Sequence, residues 1–203
     1  MSQSTPLTLV FHIVDGRQLR YEQPDPARAA EIIRDVKRRR IFDQPLLSIC
    51  GNSSVTGLAT RSIVKIDFLN AGELEWPKMG SIDRMVRVSQ REFDHEARQS
   101  PERQRPHEVG ELTVNHVRVD FLGDDTDYFE IYSKLGSAMD ERRTLQHFYG
   151  ANCLYAEYPG VGTTLYNTNA IERITLIPGP PEAPDGAWLA HHLVESEVPT
   201  PTE

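Results

Sequence analysis

Four aspartates crowd one short stretch of the chain: Asp120, Asp124, Asp125 and Asp127. Carboxylate oxygens at that density are the donors a hard divalent cation takes. The glycine and closing glutamate of a calcium loop do not follow at the required positions, so the spacing favours a solvated hairpin tip. His95, His107, His191 and His192 are the other metal-ligand types, with Asp94, Glu96 and Glu108 close to the first two. Zinc ligands usually share one helix face or a tight strand spacing, whereas adjacent His191 and His192 would diverge on a helix. No metal or other cofactor is expected.

Nucleophilic and phosphate chemistry find little more. Ser53 and Ser54 in GNSSV lie outside any G-x-S-x-G elbow and have no assigned base. The glycines of YPGVGTT lack the lysine and following helix of a phosphate loop, and a hairpin turn explains them better. Cys50 and Cys153 sit in strand-like runs with no nearby histidine, so they are expected as buried thiols rather than a disulfide or a reactive pair. What remains is electrostatic. Arg34, Lys37, Arg38, Arg39 and Arg40 form a candidate nucleic-acid patch, which Arg17, Arg20 and Arg61, and the aromatics Tyr21, Phe42 and Tyr149, would extend. The same cations also complement a helix dipole. The whole chain carries a formal net charge of −8, which opposes bulk attraction to phosphate backbones or anionic lipid.

These residues need a scaffold, and the sequence describes one twice. In LTLVFHIVDGRQLRYE, Leu7, Leu9, Phe11 and Ile13 alternate on one face of a strand, and Asp15-Gly16 turns the chain into an antiparallel return. PDPARAAEIIRDVKRRR follows, with Asp25 as N-cap, Pro26 at the first helical position, and Ala29, Ile32, Ile33 and Val36 on one helix face. Two strand-like runs, PLLSICG and VTGLATRSIVKIDF, close a ββαββ unit. The second half keeps this order. NHVRVDFL alternates Val117, Val119 and Phe121; YFEIY returns; Ser137 and Asp140 have capping-box spacing for a helix carrying Leu145, Phe148 and Tyr149 and ending at Gly150; NCLYAEY and TTLYNTNAIERITLI complete it.

Leu46–Phe68 aligns without a gap on Leu154–Leu176, with five identities in 23 positions: Leu46/Leu154, Thr56/Thr164, Thr60/Thr168, Ile63/Ile171 and Ile66/Ile174. The polar phrases ATRS and NTNA each suit a turn or bulge that would let both isoleucines of a half face inward. The segment LYNTNAIERITLIP resembles the closing hairpin of Sm-like RNA-binding proteins, in which a short polar turn precedes an Ile-x-x-Ile strand. The likeness spans some fourteen residues and repeats more weakly at Ile63. An Sm core puts its helix ahead of the strands, whereas a helix here interrupts each set after two. The resemblance implies an RNA-binding role.

The expected fold is therefore α+β: two tandem ββαββ units with antiparallel sheets, related by a pseudo-twofold and sharing a core, plus a short C-terminal helix. The units span 1–70 and 112–178. Residues 71–111 connect them, with a strand at RMVRVS and a short helix opened by Ser89 and Glu92. Residues 179–203 form a proline-rich spacer and a tail helix whose Trp188, Leu189, His192 and Leu193 would dock on this chain or a partner. Nothing approaches the apolar run of about 18 residues that spans a membrane, and the N-terminus lacks the pattern of a signal peptide. The leading expectation is a soluble, cytoplasmic binding or assembly protein without evident catalysis, acting through a protein partner or self-association. The alternatives are an RNA or DNA binder, and an enzyme whose site assembles only in three dimensions.

Overall fold

The computed structural model describes residues 5–38, 40–51, 53–71, 82–100, 108, 110–134, 148, 150–151 and 153–179. These are mixed α+β and mostly strand, with two helices and one large sheet. β1 (Leu7–Ile13) and β2 (Gln18–Gln23) form the first hairpin. α1 (Pro26–Arg38) starts where Asp25 Oδ1 accepts the amide of Ala27 at 2.9 Å. It packs Ala29, Ile32, Ile33 and Val36 against the first apolar cluster, as their shared helix face requires. β3 (Leu46–Cys50) and β4 (Val55–Ala59) form a separate two-stranded sheet. A three-residue 3-10 turn, Thr60–Ser62, then leads into β5 (Ile63–Leu69).

In the connecting segment, β6 (Ile82–Val88) precedes α2 (Gln90–Gln99), whose capping box is closed by Ser89 and Glu92 in both directions. The second half contributes β7 (Leu112–Phe121), β8 (Asp125–Lys134), β9 (Cys153–Tyr158), β10 (Gly162–Asn167), another 3-10 turn (Thr168–Ala170) and β11 (Ile171–Ile177). Of the helix expected between β8 and β9, only Phe148 and Gly150 are described, both helical; Ser137, Asp140, Leu145 and Tyr149 lie outside the described residues. So do Trp188, Leu189, His192 and Leu193.

The run expected as the last strand of each half is in fact two strands, because each 3-10 turn breaks it. The sheet order is β11-β7-β8-β6-β9-β10-β5-β1-β2. Strands of the two halves thus lie in one nine-stranded sheet, joined where β10 runs antiparallel to β5. Many pairings of the first half recur 108 positions later: Leu9↔Phe68, Phe11↔Ile66 and Ile13↔Ile63 in one, Val117↔Leu176, Val119↔Ile174 and Phe121↔Ile171 in the other. The β3–β4 hairpin departs from this rule. Leu47 lies opposite Leu58 but Tyr155 opposite Leu165, a one-residue slip, so the gapless match of Leu46 with Leu154 does not hold in register.

Two apolar clusters form instead of one shared core. The first contains Leu7, Leu9, Phe11, Ile63, Ile66 and Phe68; the second contains Val117, Val119, Phe121, Phe129, Ile131 and Tyr166, and Val14 packs against both. Ile63 and Ile66 are fully buried, but Ile171 and Ile174 are only partly so. The difference is positional: β5 lies between β1 and β10, whereas β11 ends the sheet.

Candidate functional site

Polar side chains collect where the halves meet. His12, Lys65 and Tyr166 stand directly opposite one another across β1, β5 and β10, and Asp67 and Thr164 form the next row. Residues paired across strands share a face, so this row is a polar strip on the side of β5 opposite Ile66 and Phe68. Asp67 accepts from Thr164 Oγ1 at 2.7 Å and is 2.7 Å from His12 Nε2. Burial pushes the Asp67 carboxyl up, but the hydrogen bonds from His12 and Thr164 and the nearby positive charges outweigh it, so it titrates below its ordinary value.

Lys65 reaches across to the second half. Its Nζ lies 2.7 Å from Asp127 Oδ2 and 2.7 Å from Asp125 Oδ2, and both Lys65 and Asp127 side chains are 2% exposed. Arg87 of β6 closes the network at 2.5 Å from the other Asp127 oxygen, and its guanidinium lies 4.8 Å from the centre of the Tyr158 ring. One carboxylate therefore ties together the first half, the connecting segment and the second half. Tyr166, stacked on Phe121 and edge-on to Phe129, borders the same network. Its hydroxyl finds no hydrogen-bond partner of good geometry among the described residues, although burial and nearby Asp127 push the phenol well above its ordinary value.

The junction opens on a cleft of about 540 Å³ walled by Arg87, Ser89, Glu92, Asp127, Tyr128 and Tyr158. A cleft with two titratable groups in hydrogen-bond reach is what an enzyme reading requires. Here the two groups, Arg87 and Asp127, hold each other, and Lys65 holds Asp127 again. Charges bound in this way give the strands their relative placement.

The expected candidates are distributed differently. The aspartate group is no solvated tip: Asp127 is buried, Asp125 pairs with Lys65, and Asp120 is held by Arg118 at 2.9 Å and Arg173 at 2.6 Å. Burial raises the Asp120 carboxyl, and hydrogen bonds from Arg173, Thr126 and Arg118 bring it below its ordinary value. Only Asp124, with φ 62°, keeps the expected turn character. His95 shares a hydrogen bond with Gln99 on α2, His107, His191 and His192 are outside the described residues, and no group of three or more metal-ligand side chains forms among the described residues. Cys50 is exposed rather than buried, and Cys153 is half-buried with its thiol pushed up by burial. Ser53 and Ser54 are exposed beside the β3–β4 turn, where Gly51 N donates to Ser54 O. YPGVGTT makes the β9–β10 turn.

Of the basic patch, Arg34 is exposed and Arg40 lies 3.8 Å from Asp43; the side chains of Lys37, Arg38 and Arg39 lie outside the described residues. Arg17 pairs with Asp15 and Arg20 with Glu22. Tyr21 is half-buried and packs edge-on against Phe11, and Phe42 is buried, so the Phe42 ring is not open to stacking. Lys65, Arg87, Asp67 and His12 complete the network without a motif of their own in the sequence. Their signal is weak: IVKIDF reads as ordinary alternation, with Lys65 and Asp67 on a solvated face.

Asp67 and Asp120 make acid stability measurable. Both folded carboxyls titrate below the ordinary 3.8. The unfolded chain therefore takes up these protons first as pH falls. Their contribution is full at neutral pH, declines as pH falls through the ordinary value, and is lost below the folded values. The urea midpoint is expected to drop between pH 7 and pH 3.5 and to keep falling below it, because at pH 3.5, just under the ordinary value, linkage lets each carboxyl lose at most about 0.6 kcal/mol. Thr164→Val should shrink that drop, and a midpoint flat across this range would count against the assignment.

No helix among the described residues is long and apolar enough to cross a membrane. No family model matches the chain, and neither a curated protein nor a solved structure matches it.

Proposed function

We propose that this chain is a binding or assembly protein without catalysis, built of two tandem units, 1–70 and 112–178, that follow the ββαββ order with the last strand of each split in two by a 3-10 turn and are related by a pseudo-twofold. On this reading 71–111 connects the units, 179–203 is a spacer and tail, and the protein works in the cytoplasm through a protein partner or self-association. The observation that carries it is the recurrence of the β1–β5 pairs in β7–β11, 108 positions on, together with a junction whose buried charges are spent on each other. Duplicated units with open strand edges favour association.

Light-scattering mass across a concentration series tests it, and a mass above 23.0 kDa is the expected result. A chain that stays at the monomer mass, yet binds a labelled single-stranded RNA with salt-dependent affinity, would instead be a nucleic-acid binder.

A further inference from the structure

The two halves leave edges that complete each other. β5 has β1 on one side and β10 on the other, and its Ile66 and Phe68 are 1% exposed. β11 pairs with β7 as β5 pairs with β1, but among the described residues no strand covers its other edge, and Ile174 and Leu176 are only half-buried. The converse holds for the other partner. β10 has β9 and β5, whereas β4 has β3 alone among the described residues. β11 thus lacks a strand where β10 lies on β5, and β4 lacks one where β5 lies on β10. Open edges with apolar side chains are templates for another strand.

We infer that β4 of one copy of this chain pairs antiparallel with β11 of a second copy, in the register that β10 makes with β5. That register sets Thr163 opposite Phe68, Thr164 opposite Asp67 and Leu165 opposite Ile66. Moved by 108 positions, it sets Val55 opposite Leu176, Thr56 opposite Thr175 and Gly57 opposite Ile174. The side chains fit this placement. Leu58 and the half-buried Leu47 and Ile49 of the β3–β4 hairpin pack on its own apolar cluster, which leaves Val55 and Gly57 on the outward face. Val55 is 71% exposed there, and Leu46, 54% exposed, lays its Cδ1 3.0 Å from where a Cβ on Gly57 would stand.

Leu165, the residue of β10 that corresponds to Gly57, is buried against the cluster holding Ile66 and Phe68. In the assembly Leu46 takes the place of Leu165, and Leu46 and Val55 cover Ile174 and Leu176. Because β4 and β11 are different surfaces, the contact is heterologous and propagates until it closes into a ring. The inference rests on the assembly reading above and adds the interface and the partner.

The test uses the full chain with Cys50→Ser and Cys153→Ser, carrying either Val55→Cys with Leu176→Cys or Thr56→Cys with Thr175→Cys. Neighbouring antiparallel pairs alternate between wide and narrow spacing, so one of the two suits a disulfide. Oxidation should give a ladder of linked chains with one pair, and no ladder with either single cysteine. Val55→Asp, at a solvent-facing site, should leave the circular dichroism and melting temperature unchanged and weaken association at least about tenfold, the scale of a lost central apolar contact. An oligomer that forms no ladder and is unmoved by Val55→Asp overturns this pairing while leaving the assembly reading standing. A monomer at every concentration removes both. A monomer that associates once residues 180–203 are deleted gives the edge to this chain's own tail, and overturns the pairing too.

Discussion

Lys65→Met is expected to destabilise the protein by about 3–5 kcal/mol, the cost of breaking a buried ion pair by removing one partner. Methionine keeps most of the stem volume, so the loss is electrostatic rather than a cavity. It leaves Asp127, 2% exposed, with Arg87 as its one cation among the described residues, and leaves Asp125 facing a partner that is gone. A carboxylate so enclosed must either stay charged without its second cation or take a proton, and either is costly. Urea unfolding followed by circular dichroism reads the effect as a shift in midpoint at constant slope. In the double variant Lys65→Met with Asp127→Asn, the second substitution should cost much less than it does alone, a coupling on the order of 1–3 kcal/mol. A loss below about 1 kcal/mol for Lys65→Met would class the bridge with exposed surface pairs and would break the claim that it fastens the halves.

Local signals in this sequence were readable because local chemistry makes them. Asp25 before Pro26, the spacing of Ile32, Ile33 and Val36, and Ser89 three residues before Glu92 each specify a helix end or face through contacts within one turn. α1 and α2 stand where those signals put them. The alternation of Leu7, Leu9, Phe11 and Ile13 likewise needs only a one-sided strand. What could not be read depends on partners far along the chain. Lys65 and Asp67 look like the wet face of β5, and would be, had β10, β8 and β6 not brought Thr164, Asp127 and Arg87 to that face. Asp120, Asp125 and Asp127 look like part of a solvated tip for the same reason: apart from Arg118, two residues from Asp120, their cations come from β5, β6 and β11. Matched isoleucines predicted equal burial, but burial of β5 depends on β10, and the described residues place nothing equivalent on β11. The slip in β9–β10 was hidden because a turn one residue shorter leaves both strand patterns intact.

Gly162→Ala is expected to cost more than Gly160→Ala by about 2 kcal/mol, within the range for strained or overpacked backbone sites, although both glycines belong to the same hairpin turn. The two differ in what an added methyl meets. Gly160 has φ +72° and nothing within 4 Å, so alanine there pays only for left-handed backbone, about 1–2 kcal/mol. At Gly162 a Cβ would stand 2.0 Å from the carbonyl oxygen of Phe68 and 3.3 Å from the Cα of Leu69, with φ at +157° as well. Backbone atoms cannot rotate aside, so β10 must retreat from β5 at the first pair of their ladder, Gly162↔Leu69. That retreat loosens the seam that carries Thr164 to Asp67 and brackets Lys65 with Tyr166. The variant should therefore lose stability and also weaken amide-exchange protection along β5 and β10 more than along β1 and β2. Equal costs for the two alanines, or exchange weakened evenly over all four strands, would mean that close approach at this seam is not what the glycine serves.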